Sequence, residues 1–184
     1  YGVKKPYFLY VGTLQPRKNI DVIVDAFLLL ARNEPTVQLV LAGGVGWGMS
    51  NVLEKIKRSE FKNRIIMTGY VSEEEKAGLY ENTQGFLFPS LYEGFGIPIL
   101  ESFSYGVPVI TAKNSSLPEV GGDAAIYIED TMSADELAKS MKIILNASES
   151  NRNTMSKKAI QQFSKFTWKK CSKEIFDLFC ASSF

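Results

Sequence analysis

The sequence predicts an α/β fold, a Rossmann-like doubly wound parallel sheet of about six strands. Three observations predict it. Apolar runs of strand length alternate with stretches of helical periodicity along the chain. The strand candidates are nearly continuous apolar runs, as expected when helices cover both faces of a parallel sheet. The 184 residues, of which 45% are hydrophobic, are enough for one domain with a full core.

Each element follows from its local pattern. Short runs rich in β-branched and aromatic residues predict strands at residues 7–11, 37–42, 64–67, 85–88, 107–111 and 124–128. Amphipathic periodicity predicts helices at residues 20–31, 50–58, 72–81, 97–105 and 133–145, followed by two further helical patterns up to the C-terminus. Ser72 and Glu75 form a candidate capping box at one helix start. Ligands of doubly wound sheets bind beyond the carboxyl ends of the strands, so loops 12–18, 43–48, 69–71 and 90–96 should share one rim.

Composition and charge argue against several classes of function. The formal net charge is +1 and no basic tract stands out, so nothing indicates nucleic-acid binding. No apolar run approaches the roughly 18 residues of a membrane span. The absence of histidine means that an imidazole base would have to come from elsewhere, and structural zinc is not expected. The first residues lack both a Met and the apolar core of a signal peptide, so we expect a piece of a longer protein.

The two cysteines, Cys171 and Cys180, both fall in the last helical pattern. Nine residues of helix correspond to a rise of about 13 Å, which is too far for a disulfide within one helix. We therefore interpret them as reduced thiols of a cytoplasmic protein.

Residues 88–101, with the sequence FPSLYEGFGIPILE, carry the clearest functional signal. Gly94 and Gly96 leave the backbone bare enough for close approach of a ligand, and Pro98 suits a first helical position. The free amides at such a helix start bind anions, most often phosphates. Glu93 and Glu101 flank this anion site, and ionised carboxylates accept hydrogen bonds from sugar hydroxyls. A phosphate joined to sugars on both sides is a nucleotide sugar.

Two further loops have competing interpretations. Arg17 and Lys18 follow the first strand, where Pro16 rigidifies the turn, and they could place positive charge against a pyrophosphate. The alternative is a pair of solvated loop cations. The glycine-rich segment 43–48 does not fit a dinucleotide fingerprint, because Met49 stands where glycine is needed and the segment follows the second strand. We expect a flexible loop at the rim, with Trp47 as a lid, an interdomain contact or a partly buried loop aromatic.

The segment 88–101 resembles the Glu-x7-Glu signature of retaining glycosyltransferases of family 4, which have the GT-B fold. Segment 10–19 resembles the phosphate-binding loop of that family, and segment 66–71 resembles its base-binding loop. Segments 106–110 and 115–120 match two further parts. The similarity runs from about residue 7 to about residue 146, in the right order. It implies that residues 1–184 are a single domain, the C-terminal half of a GT-B fold, which binds the nucleotide-sugar donor and lacks the N-terminal acceptor domain.

The resemblance also implies residue roles. Glu93 meets the hydroxyls of the transferred sugar, Glu101 receives the ribose hydroxyls, and Lys18 with Arg17 clamps the diphosphate. In the family a cation often stands at the position of Thr13. Base contacts from Glu73 or Lys76 and a role for Glu119 stay open. The implied catalytic residues are Glu93, Lys18 and Arg17, and the implied donor-binding residues are Gly12, Thr13, Val71, Gly94, Phe95, Gly96, Ile97 and Glu101.

The expected activity is that of a retaining hexosyltransferase which takes a sugar from a nucleotide diphosphate, with GDP-mannose favoured over UDP-sugars and dTDP-rhamnose. The expected acceptor is a glycan or lipid-linked hydroxyl in cell-envelope polysaccharide or glycan synthesis. No cofactor is expected, and the lack of an Asp-x-Asp sequence favours a metal-independent site. We expect a cytoplasmic protein, peripheral at the inner face of the membrane through the missing N-terminal domain, without which this chain should transfer little. The alternatives are a GT-B-like sugar-nucleotide epimerase and a non-catalytic nucleotide-binding module.

An apolar stripe in the last two helical patterns is expected to serve packing rather than cofactor binding. In GT-B proteins the final helices brace the two domains, so part of the stripe is expected to pack against the missing domain. The stripe consists of Phe163, Phe166, Trp168, Ile175, Phe176 and Phe179.

Overall fold

The predicted strands form one parallel sheet in the computed structural model, which describes residues 1–181. The strands are β1 (Tyr7–Val11), β2 (Gln38–Ala42), β3 (Ile65–Gly69), β4 (Gly85–Phe88), β5 (Val109–Ala112) and β6 (Ala125–Ile128). Their order across the sheet is β3-β2-β1-β4-β5-β6. This order confirms the doubly wound, Rossmann-like architecture.

Helices connect the strands and cover the sheet. The α-helices are α1 (Ile20–Ala31), α2 (Ser50–Arg58), α3 (Glu73–Asn82), α4 (Ile97–Ser104), α5 (Leu117–Gly121), α6 (Ala134–Leu145), α7 (Glu149–Phe163) and α8 (Trp168–Ala181), and short 3₁₀ helices span Pro16–Lys18, Lys62–Arg64 and Gly122–Ala124. Helix α1 packs against α2 and α6, whereas α4 packs against α5 and α7. Right-handed crossovers that leave the centre of the sheet in opposite directions produce these two helical layers.

The direction of winding reverses between β1 and β4, which are neighbours in the sheet. The chain leaves β1 towards β2 on one side and leaves β4 towards β5 on the other. The loops that follow β1 and β4 therefore diverge and leave a crevice beyond the carboxyl ends of the strands. Open α/β sheets bind their ligands at such a crevice.

The central strands are buried on both faces, as their continuous apolar runs predict. Phe8 and Leu9 of β1, Val40 of β2, and Phe86 and Phe88 of β4 are all fully buried. Burial at this level fixes the register of the strands. It thereby fixes the position at which each following loop leaves the sheet.

Some element boundaries differ from the prediction for identifiable reasons. Strand β5 begins at Val109 rather than at residue 107, because Pro108 has no N–H to donate to a ladder. Helix α4 begins at Ile97, so Pro98 occupies the second helical position rather than the first. The amide of the second position has no intrahelical acceptor either, and proline is tolerated there. Pro118 likewise lies in the first turn of its helix, α5.

The capping box is confirmed at the start of α3. The Ser72 hydroxyl accepts from the Glu75 amide at 3.2 Å, and the Glu75 carboxylate accepts from the Ser72 amide at 2.8 Å. The two side chains satisfy both backbone donors reciprocally. Helix α3 therefore starts at a fixed place after β3.

The C-terminal helices differ from each other in burial. Helix α7 packs on α4, whereas the side chains of α8 are exposed along its whole length. The predicted stripe is mainly exposed here, with Trp168 88% and Phe176 66% accessible, and Phe166 meets the ring of Phe95 edge-on at 6.0 Å. Both cysteines lie exposed on α8. The packing of this stripe against another domain stays a prediction.

Within residues 1–181, no helix combines the length and the apolar character that crossing a bilayer requires.

Candidate functional site

The loop after β1 is held against the loop after β4 by a buried asparagine. Asn19 adopts a left-handed conformation with φ 59°, which ends the 3₁₀ helix and begins α1. Its side-chain amide donates to the carbonyls of Pro89 at 3.1 Å and Thr131 at 2.6 Å. The Leu91 amide donates to the Arg17 carbonyl at 2.9 Å. These bonds place the two cations of the first loop beside the acidic loop of β4.

The three residues predicted to be catalytic meet in one cluster. Lys18 Nζ donates to Glu93 Oε1 at 2.6 Å, and Arg17 Nη1 lies 3.1 Å from Glu93 Oε2. The Lys18 and Glu93 side chains are 15% and 10% exposed, whereas the Arg17 side chain is 44% exposed. Arg17 also donates to the Tyr92 carbonyl at 2.6 Å, and the Lys18 ammonium lies 5.0 Å from the centre of the Phe88 ring. The interpretation as a solvated loop cation is therefore wrong for Lys18. The Arg17 side chain is about half-buried.

The electrostatics of this cluster keep Glu93 ionised. Burial raises the pKa of the Glu93 carboxyl, but hydrogen bonds from Lys18, Ser90 and Arg17 and the charge of Lys18 together lower it by more. The net pKa lies below the ordinary value of 4.5. The cluster thus presents one carboxylate with two cations, and an arriving anion adds negative charge next to an excess of positive charge.

The backbone that follows Glu93 offers unpaired donors. Between residues 1 and 181, the amides of Gly94, Phe95, Gly96 and Ile97 find no acceptor. Gly96 has φ 110°, a conformation that side chains rarely adopt, and it forms the N-cap of α4. Free amides at a helix start are the donors that an anion site requires, so this segment is a candidate anion site.

The second predicted carboxylate lies one turn into α4 and is also paired. Lys76 Nζ of α3 donates to Glu101 Oε1 at 3.2 Å, and the Tyr80 hydroxyl lies 3.3 Å from Glu101 Oε2. Lys76 also pairs with Glu73 at 2.8 Å. Burial lowers the pKa of Lys76, but its hydrogen bonds to Glu73 and Glu101 raise the net value above 10.5. The Glu101 side chain is 33% exposed, so it remains partly accessible to solvent.

Tyr80 acts as a fixed donor in this second cluster. Burial raises its pKa far above the ordinary value, and the neighbouring Glu101 raises it further. The phenol therefore stays protonated and holds one carboxylate oxygen. The other oxygen accepts from Lys76, so each carboxylate oxygen of Glu101 has a donor.

The glycine-rich loop is bonded to the loop after β1. Leu14 donates to the Gly44 carbonyl at 2.9 Å, and the Gly46 amide donates back to the Leu14 carbonyl at 2.8 Å. A Cβ on Gly43 would lie 2.0 Å from the Gly12 carbonyl oxygen, so a side chain is excluded there. Trp47 is 69% exposed, which contradicts its interpretation as a partly buried aromatic.

The remaining predicted residues lie at the rim with different exposure. Gly12 and Thr13 follow β1 directly, and Thr13 is exposed with its carbonyl held by the Tyr10 hydroxyl at 3.0 Å. Val71 lies between β3 and α3 and is buried, with only 8% of the residue exposed. Glu119 on α5 is exposed and has no polar contact with the Glu93 cluster in the described part of the chain.

Several residues of the site were not predicted. Tyr80 was not singled out, because a tyrosine near the end of a predicted helix is usually interpreted as part of the hydrophobic core. Asn114, Ser115 and Ser116 contact the backbone of the β4–α4 loop, although the sequence indicated only a matching segment there. The signal for them is a run of three polar side chains that begins two residues after the buried strand β5 ends.

The described residues contain no group of three or more histidine, cysteine, aspartate or glutamate side chains placed to hold a metal ion. The candidate anion site offers an ammonium, a guanidinium and backbone amides. Carboxylates at its two ends can accept hydrogen bonds from hydroxyl groups. The arrangement suits a ligand with anionic groups in the middle and hydroxyls on both sides.

Comparisons with known proteins agree with this geometry. A family model described as "Glycosyl transferases group 1" matches residues 2–162. The chain is 34% identical to the O-antigen chain mannosyltransferase B of Escherichia coli over 94% of its own length and 45% of that protein. It is 31% identical to the serotype-specific mannosyltransferase WbdA of Escherichia coli over 91% of its length and 21% of that protein. The chain thus spans less than half the length of these curated relatives.

A solved structure has the same fold. The Anabaena protein Alr3699/HepE, crystallised with UDP and glucose, superposes with a TM-score of 0.80 at 21% identity. The superposition covers 97% of this chain and 48% of that one.

Proposed function

This chain belongs to the glycosyl transferases group 1 family, and we propose that it is the donor-binding domain of a retaining, family 4-like glycosyltransferase. The donor is a nucleotide-diphosphate sugar, with GDP-mannose favoured, and the acceptor is a hydroxyl of a growing glycan or a lipid-linked sugar. The acceptor side of the site belongs to an N-terminal domain of the same protein.

One observation carries this proposal, the convergence of Lys18, Glu93 and the free amides that follow it. Lys18 and Glu93 lie 2.6 Å apart at the switch point of the sheet. The amides of Gly94 to Ile97 come next and have no acceptor in the described chain. A diphosphate placed on these amides lies beside Lys18 and Arg17. Its nucleoside end points towards Glu101 and its sugar end towards Glu93.

The cluster explains how the donor is activated. In the ligand-free chain the Glu93 carboxylate pairs with both cations but offsets only one of their two positive charges, and a diphosphate engages the excess when it binds. Lys18, Arg17 and the amides then stabilise the negative charge that develops on the departing diphosphate. We propose that these groups replace a metal ion and that no other cofactor takes part. Glu93 accepts hydrogen bonds from the sugar and stabilises its oxocarbenium-like state.

We propose that the anomeric configuration of the sugar is retained. The diphosphate covers one face of the anomeric carbon, and the acceptor hydroxyl attacks that same face from the N-terminal domain. The chain contains no histidine, so a general base must be another group, such as the departing phosphate or a residue of that domain. This chain alone should therefore bind the donor but transfer it slowly.

The preference for a guanine nucleotide is inferred from two charged side chains of α3. Glu73 and Lys76 lie on its first turn, 2.8 Å apart, and Lys76 also reaches the ribose carboxylate Glu101. A carboxylate that accepts and an ammonium that donates match the N1–H, N2–H₂ and O6 groups of guanine. The relatives that are named mannosyltransferases support mannose as the sugar.

The setting of the reaction is inferred from the same relatives. One relative is named O-antigen chain mannosyltransferase B. We propose that the protein to which this chain belongs catalyses an equivalent step of cell-envelope polysaccharide assembly. The donor pool of such a step is cytoplasmic, and the protein reaches a lipid-linked acceptor at the inner face of the membrane through its N-terminal domain.

A thermal-shift panel of GDP, UDP, dTDP and ADP tests the proposal. A ligand that binds only the folded chain raises the melting temperature, and we expect GDP to give the largest rise. Glu101→Ala should abolish the rise, because the ribose loses its acceptor. Glu129→Ala is the matched control, since Glu129 is an exposed carboxylate paired with Lys113 after β6. An equal response to all four nucleotides, or none, contradicts the proposal.

A further inference from the structure

The loop after β5 holds the loop after β4 through three consecutive polar side chains. The Asn114 amide donates to the Ser90 carbonyl at 3.3 Å. The Ser115 hydroxyl accepts from the Glu93 amide at 3.2 Å. The Ser116 hydroxyl lies 3.0 Å from the Glu93 carbonyl and 2.8 Å from the Phe95 carbonyl. All three side chains bond backbone atoms of the β4–α4 loop, and Ser115 also donates to the Asn114 side chain at 3.1 Å.

Ser116 acts on the two peptide groups that the donor site depends on. Its single hydroxyl hydrogen is shared between the carbonyls of Glu93 and Phe95. Both peptide bonds are trans. In a trans peptide the N–H points opposite to the C=O, so fixing these carbonyls on the α5 side turns the amides of Gly94 and Gly96 to the other side of the loop.

The backbone needs such a constraint because of its composition. Gly94 has open space around it, and glycine has more accessible conformations than any other residue. Without a bond to their carbonyls, peptide groups on either side of a glycine can rotate at little cost. The first turn of α5 supports the other glycine, since a Cβ on Gly96 would lie 3.2 Å from Leu117 Cδ2.

We propose that Ser116 is a positioning residue that aims the Gly94 and Gly96 amides at the diphosphate of the donor. This inference rests on the proposed function and adds a residue to it. Ser116 itself does not touch the ligand. It fixes the direction of two hydrogen-bond donors before the ligand arrives, so that no reorganisation is needed on binding.

The test compares affinities for a nucleoside diphosphate and its nucleoside by isothermal titration calorimetry. The probes are the diphosphate that this chain binds best among GDP, UDP, dTDP and ADP, and the corresponding nucleoside. Ser116→Ala should weaken the affinity for the diphosphate about tenfold, as expected for the loss of one well-aligned hydrogen bond. The nucleoside affinity should stay within about twofold, because Glu101 is unchanged. Ser116→Thr keeps the hydroxyl and should restore most of the diphosphate affinity.

The control variant is Ser164→Ala. The Ser164 hydroxyl also donates to a carbonyl at 2.8 Å, in this case that of Gln161 at the end of α7. Its removal should leave both affinities unchanged. If Ser116→Ala weakens the affinities for the diphosphate and the nucleoside equally, the fold has loosened in general and the inference is overturned. An unchanged affinity for the diphosphate would overturn it as well.

The same titrations separate this inference from the proposed function. If the unmodified chain binds a diphosphate and Ser116→Ala binds it equally well, the positioning role is wrong while the donor site stands. If the unmodified chain binds none of the four nucleotides, both are wrong.

Discussion

Replacing Lys18 with methionine should cost the ligand-free chain more stability than replacing Arg17 with methionine, although both cations contact Glu93. The Lys18 and Glu93 side chains are only 15% and 10% exposed. Removing one partner of a buried pair costs about 3–5 kcal/mol. Arg17 remains to compensate Glu93 in the Lys18→Met variant, so we expect about 2–3 kcal/mol.

The Arg17 contribution is smaller because its side chain is 44% exposed. An exposed ion pair contributes about 0.2–1 kcal/mol, and solvent screens it. For a chain of this size, 1 kcal/mol shifts the melting temperature by about 2–4 °C. Lys18→Met should therefore lower the melting temperature by about 4–12 °C and Arg17→Met by no more than about 4 °C.

Urea unfolding at pH 7, with the melting temperature as a second readout, measures both variants. Repeating the unfolding in about 1 M salt should remove most of the Arg17 effect and little of the Lys18 effect, because salt screens exposed charges far more than buried ones. Equal losses for the two variants, or a larger loss for Arg17→Met, would show that burial does not decide the strength of these pairs.

Three further predictions concern the same rim. The stability that Glu93 contributes through its lowered pKa should be present above pH 4.5 and lost as the pH falls through its folded-state value, so the unfolding free energies of the parent and Glu93→Gln should converge in acid; a constant difference down to pH 2 contradicts this. Gly96→Ala should lower the free energy of unfolding in urea by about 1–3 kcal/mol, because the φ of Gly96 is 110° and the new Cβ meets Leu117. Gly94→Ala places its Cβ in open space and should lower it by less than about 0.5 kcal/mol. Similar losses for the two variants would contradict the argument from backbone strain. Glu101→Gln should weaken nucleoside affinity about tenfold or more in calorimetry, since hydrogen bonds to a charged acceptor are lost; unchanged affinity would place the ribose elsewhere.

The sequence was sufficient for the fold because its strands are buried on both faces. Runs such as Tyr7–Val11 and Gly85–Phe88 match the structure residue for residue. A strand that is buried on both faces is nearly continuous in apolar residues, so the proline, glycine and polar residues around it indicate where it ends. Boundaries were less certain where another rule competed, as at Pro108, which lacks the donor that a strand needs.

The site was predictable only in part. Glu93 and Glu101 could be found because glycines and a proline mark the loop between them. Their partners could not, because Tyr80 and Lys76 reach Glu101 from a helix whose rotation is set by tertiary packing. The contact between Ser116 and the Glu93 backbone likewise depends on how two loops meet, which no local pattern records.

A crystal structure of the chain with bound GDP-mannose examines the donor site as a whole. The bridging phosphates should lie within about 3 Å of the amides of Gly94 to Ile97 and of Lys18 Nζ. Glu101 should accept from the ribose hydroxyls and Glu93 from the mannose. A nucleotide bound outside this crevice, or a complex in which Lys18 still pairs only with Glu93 while both acids face solvent, would contradict the proposed donor site.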